Sequence, residues 1–192
     1  QSGDPLMIAR VRSAWRDAMS ASDAATAERG TIASVVGSDA YALSRLSTDV
    51  TLAALNVQRG NLWMLHAAAL ALDDGRTIAL VGPSGRGKTT ASRLLGTRFG
   101  YVSDETTAIT PDGMVLPYRK PLSIIETAGD EKVQRAPSDL GLRPPPSSPL
   151  RLARIVLLDR RTDGPAEPVV SDVTLSDALV PLVEQTSYLA DL

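Results

Sequence analysis

The fold class of this chain is decided by the stretch Thr77-Ile78-Ala79-Leu80-Val81-Gly82-Pro83-Ser84-Gly85-Arg86-Gly87-Lys88-Thr89. Its first five residues are typical of a β-strand. The eight residues from Gly82 to Thr89 match the pattern G-x-x-x-x-G-K-[ST] at every fixed position, and residues 89–96 favour a helix. Because this pattern requires a strand before the loop and a helix after it, the stretch predicts a loop that binds phosphate groups.

The predicted chemistry of the loop comes from its glycines, from Lys88 and from Thr89. Glycine lets the backbone curl until several N–H groups point inward at phosphate oxygens, and the following helix adds its positive end. Lys88 can reach the outer phosphates, and the Thr89 hydroxyl can ligate Mg²⁺. We therefore expect a nucleoside triphosphate, ATP, and Mg²⁺ as ligands. The residues expected to bind the nucleotide are Gly82, Pro83, Ser84, Gly85, Arg86, Gly87, Lys88, Thr89 and Thr90. For Arg86, contact with phosphate and exposure to solvent both stay open.

Two predicted strands end in acidic residues that are candidates for the metal site. Asp104 and Glu105 close the strand after the loop helix, and Asp159 follows the apolar run 155–158. Ligands of α/β sheets lie beyond the carboxyl ends of the strands, so either position is suitable. A solvated turn is the alternative for Asp104 and Glu105, and an ion pair with Arg160–Arg161 is the alternative for Asp159.

The only histidine of the chain, His66, lies in the apolar run 62–72. This run is compatible with a helix or a strand, but the turn signal 73–75 and the β-rich residues 77–81 favour a hairpin of strands 65–72 and 77–81. A buried core histidine is one interpretation of His66, and a catalytic histidine near the phosphates is the other.

Patterns elsewhere in the chain predict a mixed sheet with helices, and therefore an α/β fold. We expect an N-terminal helical segment or small lobe over residues 1–46 and one domain over residues 47–192. The predicted elements are a helix starting at Asp4-Pro5, a strand at 31–36, a helix from Ser47 or Thr48 to Arg59, a hairpin over 106–117, a strand at 122–126, an exposed loop at 143–149 that could act as a lid, and a last helix capped by Ser176-Asp177.

Composition limits the classes of function. The chain has 192 residues, 43% of them apolar, a formal net charge of −2 and no cysteine. This charge balance does not suggest a nucleic-acid partner, and no apolar run is long enough to cross a membrane. The lack of cysteine excludes disulfides and thiolate metal sites. We expect a cytoplasmic protein.

In their order, several motifs resemble a known family. His66-Ala67-Ala68-Ala69, an Asp-Gly turn, the loop 82–89 and Tyr101-Val102-Ser103-Asp104-Glu105 are similar to the C-terminal domain of HPr serine kinase/phosphorylase. The similarity is greatest to short HPr-kinase-like proteins found near peptide-modifying gene clusters. It spans about residues 60 to 126. The resemblance implies a P-loop fold of the phosphoenolpyruvate-carboxykinase type, and a homo-oligomer as in relatives that assemble.

The resemblance also implies a role for each matched residue. Lys88 would bind the β- and γ-phosphates, and Thr89 would help to hold Mg²⁺. Asp104 would take the proton from an attacking serine hydroxyl. Glu105, where the family motif has Asp, would be linked to the metal, and His66 would face the phosphates. A counterpart of the HPr-docking signature is missing after the acids, which leaves HPr itself in doubt as the substrate.

The function expected from these residues is a kinase that transfers the γ-phosphoryl group of ATP to a hydroxyl. The acceptor would be a serine of a peptide or protein, or a small molecule. Arg119 and Lys120 could neutralise phosphoryl charge, with a solvated basic turn as the alternative. Two other functions stay open: a non-catalytic nucleotide sensor or interaction module, and an NTPase of another P-loop branch.

Overall fold

A computed structural model of the chain describes residues 4–19, 38–125 and 132–192. The strand predicted at 31–36 lies outside these residues. The helices are α1 Pro5–Trp15, α2 Asp39–Val57, α3 Lys88–Leu95 and α4 Leu175–Glu184. The strands are β1 Trp63–Leu65, β2 Ala67–Ala71, β3 Arg76–Val81, β4 Gly100–Ser103, β5 Thr107–Ile109, β6 Val115–Leu116, β7 Leu122–Ile124, β8 Val133–Arg135, β9 Arg151–Leu157 and β10 Thr186–Ser187.

The central sheet has the strand order β4-β2-β3-β9. β2 is antiparallel to both of its neighbours, whereas β3 and β9 are parallel. It follows that β3, β4 and β9 run in the same direction, and their carboxyl ends share one edge of the sheet. The amino end of β2 reaches that same edge.

The predicted hairpin of strands 65–72 and 77–81 is confirmed, as the antiparallel pair β2 and β3. Ala69 of β2 faces Ala79 of β3, and all five residues of β2 are buried. Gly75 has the positive φ of 87° that glycine adopts readily, and the Asp74 carboxylate accepts a hydrogen bond of 3.0 Å from the Arg76 backbone N–H. This turn chemistry reverses the chain within a few residues.

His66 separates β1 from β2, so the apolar run contributes strands to two sheets. The second sheet has the order β10-β1-β5-β6, with Met64 of β1 opposite Ser187 of β10. Buried side chains of both sheets form one apolar cluster, which includes Leu65, Val81, Val102 and Ile109. Removal of these side chains from water stabilises the base on which the candidate site stands.

The chain is therefore a mixed α/β protein, as predicted. It forms two compact units, one of residues 1–58 with 119–141 and the other of residues 59–118 with 142–192. The boundary expected between residues 46 and 47 lies inside α2. The predicted start of this helix was wrong, because the Ser38 hydroxyl caps it by accepting a hydrogen bond from the Tyr41 N–H.

The first unit combines α1 and α2 with the β7–β8 hairpin. The predicted start of α1 is confirmed, since Asp4 caps it and Pro5 is its first residue. Arg10 of α1 forms an ion pair with Asp39 of α2.

The Pro-rich loop 143–149 lies at the opposite edge of the central sheet from the glycine loop. A methyl group built on Gly100 would be 2.8 Å from Pro145 Cα, and one built on Gly75 would be 2.4 Å from the Pro149 carbonyl oxygen. Both glycines lie at that opposite edge, where β4 begins and β2 turns into β3. In this structure the loop does not lie over the predicted site, which argues against the expected lid.

The last helix differs from its prediction in cap and in extent. Thr174, rather than Ser176, is the N-cap of α4, and Pro181 lies in the interior of the helix. The short strand β10, which follows α4, was not predicted. In the described part of the chain, no helix combines the length and the apolar character needed to cross a bilayer.

Candidate functional site

Four sequence-predicted positions meet at the shared edge of the central sheet. The glycine loop, Gly82–Thr89, follows β3, and Asp104 follows β4. Asp159 comes shortly after β9, and His66 immediately precedes β2. These positions come together because the three strands run in the same direction and β2 runs against them.

The glycine loop is held in a conformation that its glycines permit. Gly85 and Gly87 have φ angles of 81° and 96°, in the left-handed region that most residues avoid. Gly87 is the N-cap of α3 and has no side chain to cap it. The first N–H groups of an α-helix lack partners within the helix, so this helix start is suited to an anion.

Lys88 is buried at the base of the loop, with 6% of the residue exposed. Its Nζ donates hydrogen bonds to the carbonyl oxygens of Gly82 at 2.5 Å and Pro83 at 3.2 Å. Burial lowers the pKa of Lys88, and the negative charges of Glu105 and Asp104 oppose that shift. The lysine is thus electrostatically linked to both predicted acids.

Asp104 is also buried, with 5% of the residue exposed, and both of its carboxylate oxygens have partners. Oδ2 accepts a hydrogen bond of 3.4 Å from the Thr89 hydroxyl, in the first turn of α3. Oδ1 accepts one of 3.1 Å from the Tyr101 hydroxyl, and Tyr101 is completely buried. The alternative of a solvated turn is therefore wrong for Asp104.

The sequence did not single out Tyr101 as a site residue, because Tyr101 was expected only to be part of the strand before Asp104. A signal was present, since the hydroxyl of a buried tyrosine usually has a hydrogen-bond partner. Its neighbour Ser103 fixes the turn after β4: the Ser103 hydroxyl accepts hydrogen bonds from the backbone N–H groups of Glu105, at 3.4 Å, and Thr106, at 3.2 Å. This turn leaves Glu105 exposed while Asp104 stays buried.

His66 is half-buried and belongs to the same charged cluster. Its backbone N–H donates to the Gln185 carbonyl at 2.7 Å. Burial lowers the pKa of His66, and the Lys88 charge lowers it further. Glu105, through its charge and its backbone, and the Asp104 charge both raise this pKa. The histidine thus lies within electrostatic reach of three predicted site residues and is not enclosed in an apolar core.

Asp159 lies at the same edge of the central sheet as the glycine loop, but its carboxylate is paired with an arginine. It is exposed, and its carboxylate lies 2.6 Å from Arg161 Nη2. The hydrogen bond from Arg161 holds the pKa of Asp159 below its ordinary value, with a smaller effect from Arg86. The ion-pair interpretation of Asp159 is confirmed, with Arg161 rather than Arg160 as the partner.

Arg86 is exposed, as one of its two predictions had it, and its side chain also has a partner within the protein. Its Nη1 donates a hydrogen bond of 2.5 Å to the Arg160 carbonyl oxygen, so the arginine fastens the glycine loop to the segment after β9. Pro83, Ser84 and Thr90 are exposed on the loop and on the first turn of α3.

Arg119 and Lys120 belong to the first unit and are not a solvated basic turn. Only 4% of Lys120 is exposed, and its Nζ donates to the Pro121 carbonyl oxygen at 3.2 Å. Arg119 lies 4.0 Å from Asp17, with 13% of each side chain exposed.

Within the described ranges, no group of three or more acidic or histidine side chains gathers as a metal centre. Neither a protein-family model nor a curated protein sequence matches this chain.

Proposed function

We propose that this chain is an ATP-dependent kinase that phosphorylates a hydroxyl group, and that its active site is the edge formed by the glycine loop, Asp104 and His66. The observation that carries the proposal is the 3.4 Å hydrogen bond between the Thr89 hydroxyl and Asp104. It joins the last residue of a phosphate-loop pattern to a buried acid from the neighbouring strand β4. The same residues carry the resemblance to the HPr serine kinase family and its P-loop fold.

The loop residues fit a nucleoside triphosphate. The helix start at Gly87 offers backbone N–H groups, and Lys88 supplies a cation that is already partly desolvated. In this proposal, Lys88 exchanges its two carbonyl partners for the outer phosphate oxygens. A charge-assisted contact to phosphate is stronger than a contact to a neutral carbonyl.

Two oxygen ligands fit Mg²⁺, namely the Thr89 hydroxyl and the Asp104 carboxylate. Mg²⁺ commonly takes one or two carboxylates from the protein and the rest of its shell from phosphate and water, so a cluster of three acids is not required. When bound, the ion would neutralise charge on the phosphates. Exposed Glu105, whose charge acts on Lys88 and His66, would add a second carboxylate.

The protein's own residues would supply the general base and the positive charge that the transfer needs. The acceptor oxygen forms a bond to the γ-phosphorus as the bond from that phosphorus to the β–γ bridging oxygen breaks, releasing ADP. Asp104 takes the proton of the acceptor hydroxyl and passes it to solvent. Lys88 stabilises the charge on the transferred group, which is the main task in phosphoryl transfer. His66, kept neutral by its lowered pKa, can hydrogen-bond a phosphate oxygen or the acceptor.

Asp104→Asn tests the role of the base, with Asp159→Asn as its matched control at the same sheet edge. We expect Asp104→Asn to keep nucleotide binding through Lys88 and the glycine loop, which the substitution leaves unchanged, but to lose transfer by at least about 100-fold, the lower end for a general base. Asp159→Asn should keep both nucleotide binding and transfer, because Asp159 is paired with Arg161. Calorimetry measures binding, and label transfer from γ-labelled ATP to an extract measures activity.

The outcomes separate the competing functions. Transfer that persists in Asp104→Asn removes Asp104 from its role. Release of inorganic phosphate without transfer in the wild type, lost in Asp159→Asn but kept in Asp104→Asn, favours an NTPase of another branch. Tight binding without transfer or hydrolysis in the wild type identifies a nucleotide sensor.

A further inference from the structure

Arg160 lies against the glycine loop although no sequence pattern points to it. A methyl group built on Gly87 would lie 3.9 Å from Arg160 Cδ and 4.0 Å from its Nη1. Gly87 immediately precedes Lys88 and is the N-cap of α3. The guanidinium is therefore beside the part of the loop that would carry the outer phosphates.

Two hydrogen bonds fix the backbone that carries Arg160. The Leu158 N–H donates to the Val81 carbonyl at 2.7 Å, which extends the pairing of β3 with β9 to the start of the loop. Arg86 Nη1 donates to the Arg160 carbonyl at 2.5 Å, from inside the loop. The position of Arg160 is thus set by the same strands that set the loop.

The charge of Arg160 is not neutralised by its neighbours in sequence. Asp159 and Arg161 pair with each other at 2.6 Å. Among the residues that the structure describes, no side chain forms an ion pair or a hydrogen bond with the Arg160 guanidinium. A cation at the start of a helix is electrostatically unfavourable, and Lys88 is a second positive charge nearby. An anion bound at the loop would relieve both effects.

We propose that Arg160 binds the phosphate chain of the nucleotide and so serves as a second phosphate-contacting cation beside Lys88. This inference rests on the proposed function. A guanidinium suits the role because its planar N–H groups match two phosphate oxygens at once. In this arrangement, Arg86 is the residue that positions Arg160, through the Arg160 carbonyl.

Calorimetric titration of the full chain with Mg-ATP and with inorganic triphosphate tests this role. Arg160→Ala is expected to bind both ligands about tenfold more weakly than the wild type, the factor that corresponds to one charge-assisted hydrogen bond. The matched control Arg161→Ala removes an equal charge one residue away. Its affinity for both ligands should stay within about twofold of the wild-type value. Arg160→Lys keeps the positive charge but loses the paired contact to two phosphate oxygens. Its affinity for both ligands should lie between those of Arg160→Ala and Arg161→Ala.

The outcomes distinguish this inference from the proposed function. If the wild type binds Mg-ATP and Arg160→Ala binds it equally well, the inference is wrong and the proposed function stands. Equal losses in Arg160→Ala and Arg161→Ala would indicate a general charge effect and would also overturn it. If the wild type binds neither ligand, both the proposed function and the inference fail. Equal thermal unfolding temperatures of the variants check that exposed Arg160 is not needed for folding.

Discussion

At the scale of single residues, the candidate site depends on how Asp104 is held. Tyr101 is completely buried, and its hydroxyl donates to Asp104 Oδ1 while Thr89 donates to Oδ2. Two donors orient the carboxylate, so its position relative to the glycine loop is fixed before any ligand binds. A general base must be within hydrogen-bond reach of the proton that it takes, which makes this orientation important.

Tyr101→Phe is expected to lower the free energy of unfolding by about 1.5–3 kcal/mol, because a buried hydrogen bond to a charged group is lost. Chemical denaturation of wild type and variant measures this difference. Tyr41→Phe is the control, since Tyr41 is 53% exposed and should change stability by less than about 0.5 kcal/mol. Equal effects of the two substitutions would show that the Tyr101–Asp104 bond contributes nothing.

His66 gives the chain a specific dependence of stability on pH. Its pKa in the folded state is lowered, first by burial and then by Lys88. Between that value and about 6.5, the ordinary value expected in the unfolded chain, the unfolded state binds more protons. The contribution of neutral His66 to stability is therefore complete above about pH 6.5 and is lost as the pH falls through this window.

His66→Gln should remove this part of the pH dependence. As His66 is the only histidine in the sequence, the unfolding free energies of wild type and variant between pH 5 and 8 isolate its titration. We expect the wild type to lose stability more steeply than the variant below about pH 6.5, by no more than the one-proton limit of about 1.4 kcal/mol per pH unit. Parallel curves would mean that His66 keeps its ordinary pKa in the folded protein.

The sequence could propose the candidate residues that belong to a motif, but it could not reveal contacts that depend on the tertiary fold. Lys88 and Thr89 could be placed because the pattern fixes their spacing from the glycines. The partner of Arg86 is a carbonyl 74 residues away along the chain, and no local pattern reports such a contact. The burial of Lys120 had no signal either, since a basic pair beside proline is typical of an exposed turn.

At the scale of elements, local turn and cap signals decided which predictions succeeded. The β2–β3 hairpin has an Asp-Asp-Gly turn, and α1 has an Asp-Pro start, so both were predictable. The helix α2 was predicted to start at Ser47 or Thr48, which is too late, because its cap is Ser38. β10 has two residues, and its pairing with β1 is a long-range contact that periodicity cannot reveal.

Gly87→Ala tests the conformation of the element that links β3 to α3. The space at Gly87 would accept a methyl group, with its nearest atom at 3.9 Å, but the φ of 96° is unfavourable for alanine. We expect a loss of about 1–2 kcal/mol of unfolding free energy from this backbone strain alone. The exposed loop residue Ser84 provides the control Ser84→Ala, and denaturation curves measure both. A Gly87→Ala variant as stable as Ser84→Ala would show that the loop does not require the left-handed conformation.

At the scale of the whole molecule, strand direction brings the site together. The sequence predicted a mixed sheet, and it placed acids and the loop at strand ends. It could not give the order β4-β2-β3-β9, because pairing of β3 with β9 joins segments that are about 75 residues apart. The division into two units was equally hidden, since residues 119–141 return to the unit of the N-terminal helices.

Binding of Mg-ATP should stabilise the folded chain as a whole by mass action. At a free ligand concentration of 100 times Kd, the gain is about 2.7 kcal/mol. For a chain of 192 residues this corresponds to a rise in Tm of roughly 5–11 °C, measurable by calorimetry. Lys88→Ala should abolish the rise, while Arg93→Ala, on the exposed side of α3, should retain it. An equal rise in both variants would show that ATP binds away from the glycine loop.

The measurement that tests the central claim most directly is the transfer of label from γ-labelled Mg-ATP to a fractionated cell extract, with wild type and Asp104→Asn compared side by side. A kinase built on the glycine loop and Asp104 should place acid-stable label on a hydroxyl of a peptide, protein or small molecule in the wild type only. A kinase function would be contradicted if, in every fraction and with both proteins, the label stays on ATP or appears only as inorganic phosphate.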